Sequence, residues 1–228
     1  MSDLLQRLCR RLDYQFKNPA LLTQALTHRS FGAQNNERLE FLGDGLINFV
    51  IGAELYDKQI RAEEGALSRL RASLVREETM ALIGRELELG DVLHLGESEL
   101  KSGGFRRDSI LADALEALVG AVFLDTGFDA ARKVTLHVYA VFLANLPDHE
   151  TLKDAKTRLQ EVLQAQSRAL PVYEVLSESG PPHKREFVVR CSLSDAVETT
   201  QAAGPSRRIA QQRAAAMMLE KLVEKTHA

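Results

Sequence analysis

The chain has 228 residues, 45% hydrophobic and 27% charged, with a net charge of -3, which is ordinary globular composition for one large domain or two modest ones. Cys9 and Cys191 stand at opposite ends and the six histidines are scattered. That argues against a disulfide framework or a histidine-based metal site, and marks both thiols as reduced, half-buried fillers.

Met1 to Arg11 carries three arginines between leucines and no apolar signal region, and the longest apolar stretch, Ala117 to Leu124, is too short to span a bilayer. No membrane association is expected, and the chain reads as cytoplasmic. From Leu4 to about Leu146 apolar residues recur at three- and four-residue spacing, as in Leu39, Leu42, Leu46 and Val50 and again in Leu111, Leu115, Leu118 and Val122. Gly65, Gly90, Gly103-Gly104 and Gly127 read as turns or helix ends. This half is predicted to be all-α.

Within it, Glu37, Glu40 and Asp44 fall within about 60° of one another at 100° per residue, opposite the Leu39/Leu42/Leu46 stripe. Asp113 and Glu116 repeat the arrangement at i and i+3, opposite Leu111, Leu115, Leu118 and Val122, with small Ala117 and Gly120 alongside. Asp108 and Ser109 supply the expected N-cap. Clustered carboxylates repel unless a hard cation relieves them, and magnesium is the natural candidate because it takes oxygen ligands and activates water in nucleases. The plainer alternative is a pair of solvated acidic faces.

Asn145 to Thr151 is polar, contains Pro147 and reads as a linker. Beyond it the class changes. A short helix at Thr157–Gln166 precedes strand-like runs at Val172–Leu176, Glu186–Leu193 and Val197–Ala202, and a long helix at Ser206–Lys225 with Ala210, Ala214, Met217 and Leu222 on one side. In strand two, Phe187, Val189, Cys191 and Leu193 alternate. The charge splits with the pattern: residues 154–228 hold 11 Lys+Arg against 9 Asp+Glu (+2), leaving 29 - 11 = 18 against 32 - 9 = 23 (-5) for residues 1–153. Arg207 and Arg208 fall in the first turn of the last helix, where the dipole disfavours cations and a phosphate would compensate.

Asn36-Glu-Arg-Leu-Glu-Phe-Leu-Gly-Asp44 resembles the signature of the bacterial ribonuclease III family, and Lys101 to Leu118 (KSGGFRRDSILADALEAL) resembles its second block. The α-β-β-β-α order of the second half, with Gly180-Pro-Pro-His183 before a strand and Gly204-Pro-Ser-Arg-Arg opening the last helix, resembles the double-stranded-RNA-binding domain. The resemblance covers essentially the whole chain. It implies an all-α catalytic domain at 1–146, a linker at 147–153 and an α-β-β-β-α RNA-binding domain at 154–225. It also implies hydrolysis of double-stranded RNA to 5'-phosphate products with short 3' overhangs, in the processing of ribosomal, messenger and other duplex RNA. Carried over by position, Glu40, Asp113 and Glu116 bind magnesium, with manganese able to substitute and no organic cofactor, and Asp44 completes the catalytic set. A symmetric homodimer is implied, with Glu37 and Glu64 near the interface and cleft and Phe41 as a knob entering the partner. Without the family, Phe41 reads as a core phenylalanine. Gln160, Gln164 and His183 would reach the minor groove, beside Arg207 and Arg208. Gly45 stands where relatives often have Ala or Ser, and Gln211 and Gln212 where many offer a further lysine nearby. The rival from another class is a duplex-binding protein on the same scaffold that has lost cleavage, and a third reading is an all-α interaction domain fused to an RNA-binding module.

Overall fold

The computed structural model describes residues 3–146, 155–181 and 185–226, with side chains as far as 222. It divides into two compact units, Met1–His149 and Glu150–Ala228. The linker expected at 147–153 and the expected groove residue His183 lie outside the described residues.

The first unit is helical: α1 (Asp3–Arg11), α2 (Pro19–Ala25), α3 (Glu37–Lys58), α4 (Glu64–Leu74), α5 (Glu77–Glu86), α6 (Glu97–Lys101), α7 (Asp108–Thr126), α8 (Phe128–Val138) and α9 (Ala140–Ala144). Two 3-10 turns, Leu89–Asp91 and Gly104–Arg106, join α5 to α6 and α6 to α7. The long apolar helix α7 is the hub, packed against α2, α3, α5 and α8. From Ile110 to Val122 all of its residues except Asp113 are buried. A helix apolar on every side belongs at the centre of a bundle.

The crossing of α3 and α7 rests on two glycines. A Cβ on Gly43 would overlap the Glu116 carbonyl, and one on Gly120 would overlap that of Leu39. Each helix therefore notches the other's backbone. The buried line of α3 is Leu39, Gly43, Ile47, Val50 and Ile51, whereas Leu42 and Leu46 are only half-buried. The apolar stripe expected opposite the acids is thus rotated towards them, because the small Gly43 draws its own face inward. Two other expectations change. Gly65 is the second residue of α4, not a turn, and Asp108 is the first residue of α7 behind Arg107, its carboxylate paired with Arg85 and not with the helix's free N–H groups. Gly127, at φ 92°, does end α7.

The second unit runs α10 (Ala155–Ala165), β1 (Val172–Ser179), β2 (Glu186–Ser192), β3 (Thr199–Gly204) and α11 (Arg207–Thr226), with an antiparallel sheet in the order β1-β2-β3. Phe187, Val189 and Cys191 alternate inward from β2: Phe187 and Val189 cluster with Ala210 of α11, while Cys191 and Leu193 cluster with Leu159 and Leu163 of α10 and Ala214, Ala215 and Met218 of α11. Met218 takes the buried place expected of Met217, which is 43% exposed. Both cysteines are fully buried, not half-buried. Gln212 Oε1 accepts from the Lys156 backbone N–H at 3.1 Å and Gln211 Oε1 from Lys156 Nζ at 2.7 Å, so these glutamines fasten α10 to α11.

Gly43→Ala is expected to force α3 and α7 apart at a cost of about 1–3 kcal/mol, typical of overpacking. Thermal unfolding would show this as a lower Tm, and an unchanged Tm would mean that the crossing yields freely.

Candidate active site

The glycine crossing sets the acids of α3 beside those of α7. One carboxylate oxygen each from Glu40, Asp113 and Glu116 lie within 4.8 Å of one another. Glu116 is 8% exposed, and Glu40 and Asp113 are half-buried. Like charges this close and this dry resist ionisation. Burial, and then the charges of Asp44, Asp113 and Glu40, push the Glu116 carboxyl up to about 8. Glu40 is raised by burial first, with Asp113, Glu37 and Asp44 adding and Arg29 opposing. Asp113 is raised chiefly by burial, with Glu77 adding and His28 and Arg29 opposing.

A hard dication suits this donor set. All three available donors are oxygens, a set that favours hard cations over zinc or copper, and a cation there would discharge a repulsion that burial cannot. The neighbouring Tyr139 hydroxyl bears on the same balance. It is fully buried with no hydrogen-bond partner among the described residues, and is raised by burial and by the charge of Glu116.

Of the remaining acids, Asp44 is solvent-exposed, and its carboxylate accepts a hydrogen bond from Asn48 Nδ2 at 2.8 Å. Glu37 lines a cleft of about 340 Å³ with His28, Arg29, Asn36, Glu40, Glu99, Arg107, Ser109, Ile110 and Asp113. Glu64 stands apart from the three-acid cluster, accepting from Ser68 Oγ at 2.8 Å in a groove lined also by Asn48, Phe49, Tyr56 and Arg71. Phe41 is 84% exposed, which rules out the core-phenylalanine alternative, and Phe49, Tyr56 and Ile60 of the same region are exposed with it.

Sequence reasoning missed the cleft's other wall. The segment before α3 is drawn in by a parallel bridge between Thr27 and His94, with the His28 N–H on the His94 carbonyl at 3.0 Å. The polar run Thr27-His28-Arg29-Ser30 was its one visible signal, and no helical or strand period marks it.

In the second unit, Gln160 and Gln164 are exposed on α10. Arg207 and Arg208 are exposed at the start of α11, with Arg207 on Glu178 at 3.2 Å and over the Phe187 ring at 5.6 Å.

Comparison with known proteins bears on both units. The ribonuclease-III-like family pattern matches residues 18–142, and the double-stranded RNA binding motif matches residues 155–222. A ribonuclease 3 from Marinomonas sp. is 53% identical over 225 residues, covering 99% of this chain and 99% of its own. The chain belongs to the ribonuclease III family. A ribonuclease 3 of that family from Pseudomonas aeruginosa is 54% identical over the whole of both chains. The nuclease domain of ribonuclease III from Campylobacter jejuni has the same fold as the first unit, with a TM-score of 0.60 and 44% identity over 62% of this chain and 97% of that one.

The raised carboxyls predict how the ribonuclease III cluster answers to pH. Because the folded value of Glu116 lies above its unfolded one, its contribution to stability is complete below about pH 4.5 and is lost as pH rises through about 8. The metal-free protein should therefore show a falling Tm between about pH 4.5 and 8, Glu116→Gln should flatten that fall, and divalent-cation affinity measured calorimetrically should strengthen over the same window as the proton is displaced. A metal affinity independent of pH would contradict the assignment.

Proposed function

We propose that this chain is a magnesium-dependent endoribonuclease specific for double-stranded RNA, with Glu40, Asp113 and Glu116 as metal ligands. The observation carrying this reading is the meeting of those three carboxylates from two helices within 4.8 Å, in a chain that also carries the duplex-RNA-binding motif. Magnesium or manganese bound there would supply an activated water and stabilise the charge developing on the leaving oxygen. Asp44 lies open to solvent beside Glu116, where its carboxylate can accept a hydrogen bond from the attacking water and orient it.

Double-strand cleavage needs two such sites facing opposite strands. The exposed apolar residues Phe41, Phe49, Tyr56 and Ile60 suit burial against a second copy, with Phe41 as the knob and Glu37 and Glu64 at the interface and cleft. A further Campylobacter jejuni nuclease-domain structure, 45% identical with a TM-score of 0.58 over 59% of this chain and 94% of that one, is described for flexibility in the region involved in dimer formation. A symmetric dimer cutting each strand once leaves 5'-phosphates and short 3' overhangs, suited to trimming ribosomal and messenger precursors in the cytoplasm. Domain bounds of 1–146 and 154–225 belong to this reading.

In the second unit, Gln160 and Gln164, with His183, would meet the minor groove, while Arg207 and Arg208 meet phosphates at the start of α11. Arg207 must leave Glu178 to do so, an exchange of one exposed ion pair for another that costs little.

The test is magnesium-dependent shortening of a long RNA duplex, with a single-stranded control and a chelator control. Glu116→Gln is expected to cut at least about a thousandfold more slowly, the equivalent of the several kcal/mol a bound metal contributes, while duplex binding stays within about twofold. Loss of binding alongside cleavage would assign Glu116 to folding instead.

A further inference from the structure

The acid-lined cleft has a cationic wall, and its two arginines are held differently. Arg107 Nη1 is 2.9 Å from Glu99 Oε1, and that glutamate side chain is only 20% exposed. Glu99 is itself hemmed in by Gly104, whose added Cβ would touch the glutamate Cγ at 2.7 Å. Arg107 is thereby committed to a local partner.

Arg29 is anchored at its base and loose at its head. On one side, the His28 N–H donates to the His94 carbonyl, and the His28 ring sits 2.8 Å from Ser30 Oγ. On the other, the Ser30 hydroxyl accepts from the Gly96 backbone N–H at 2.9 Å. Among the described residues the guanidinium itself pairs with Glu37 alone, at 3.7 Å, and its side chain is 71% exposed. An exposed pair at that distance contributes little and parts easily. Yet the same guanidinium lies near enough to both Glu40 and Asp113 to oppose their repulsion.

A phosphodiester approaching these acids brings negative charge to the place where it is least welcome. A planar fork of donors, fixed at the backbone and free at the tip, matches the two non-bridging oxygens of a phosphate. We propose that Arg29 leaves Glu37 when RNA enters and clamps the non-bridging oxygens of the phosphate being cleaved, holding it over the Glu40/Asp113/Glu116 cluster. This rests on the nuclease reading above. It assigns Arg29 to substrate and not to the fold or the metal.

The discriminating measurement is steady-state cleavage of a short RNA duplex by the full-length protein and its Arg29→Ala and Arg29→Lys variants across a magnesium titration, with Tm recorded for each. The clamp predicts that Arg29→Ala loses about tenfold to a hundredfold in kcat/KM, the range of a charged hydrogen bond, and that Arg29→Lys recovers part of it. Tm should stay within about a degree, and the magnesium concentration for half-maximal rate should stay level or fall, because the removed cation no longer repels the metal. A deficit made good by more magnesium would place Arg29 with the metal site, and a matching loss of Tm in both variants would make it structural; either overturns the clamp. An Arg29→Ala protein as active as a working parent overturns it as well, and leaves the nuclease reading standing. Failure of the parent to cut duplex RNA removes both.

Discussion

The site depends on the close contact of two helix backbones. Gly43 lets α3 settle onto the Glu116 carbonyl, and Gly120 lets α7 settle onto that of Leu39. Side chains of ordinary size at either position would hold the axes further apart, in the usual 8–10 Å range of helix pairs. With the notch in place, acids one turn either side of it are pressed together. The close backbone contact and the crowding of like charges therefore occur at the same point.

That coincidence explains why the surrounding helix is so apolar. Glu116 is carried among Leu115, Ala117, Leu118 and Val119, all buried, and its desolvation is the main reason its carboxyl resists ionisation. Apolar burial on this scale contributes tens of kcal/mol across a domain and can absorb a site that works against the fold. A local conflict amid otherwise consistent packing is where function is expected.

Much of this could be read from the sequence. Glu37, Glu40 and Asp44 share a helical face by spacing alone, and alternation in β2 identified Phe187, Val189 and Cys191 as inward-facing. The errors were errors of rotation. Period alone pointed to Leu42 and Leu46 because leucines outweigh a glycine on any hydrophobic scale, whereas close packing chose the Gly43 face. Met217 and Met218 differ by 100° on the same helix and only the sheet decides between them. Asp108 looked like a cap because nothing in the sequence places Arg85 beside it. His28 and Arg29 escaped notice for a related reason, since their role depends on a bridge to His94 that no local pattern announces.

That bridge gives the two walls of the cleft unequal permanence. The acidic wall opens only if α3 parts from α7, which disrupts the core of the unit. The part of the cationic wall that carries Arg29 is held to the 94–96 segment by three hydrogen bonds, from His94 N–H to the Leu26 carbonyl, from His28 N–H to the His94 carbonyl and from Gly96 N–H to Ser30 Oγ. At about 0.5–1.5 kcal/mol each, these can break in a local fluctuation far cheaper than global unfolding. In amide exchange such a seam is expected to give up its protons before the helix crossing does, which separates what positions the arginine from what holds the carboxylates together.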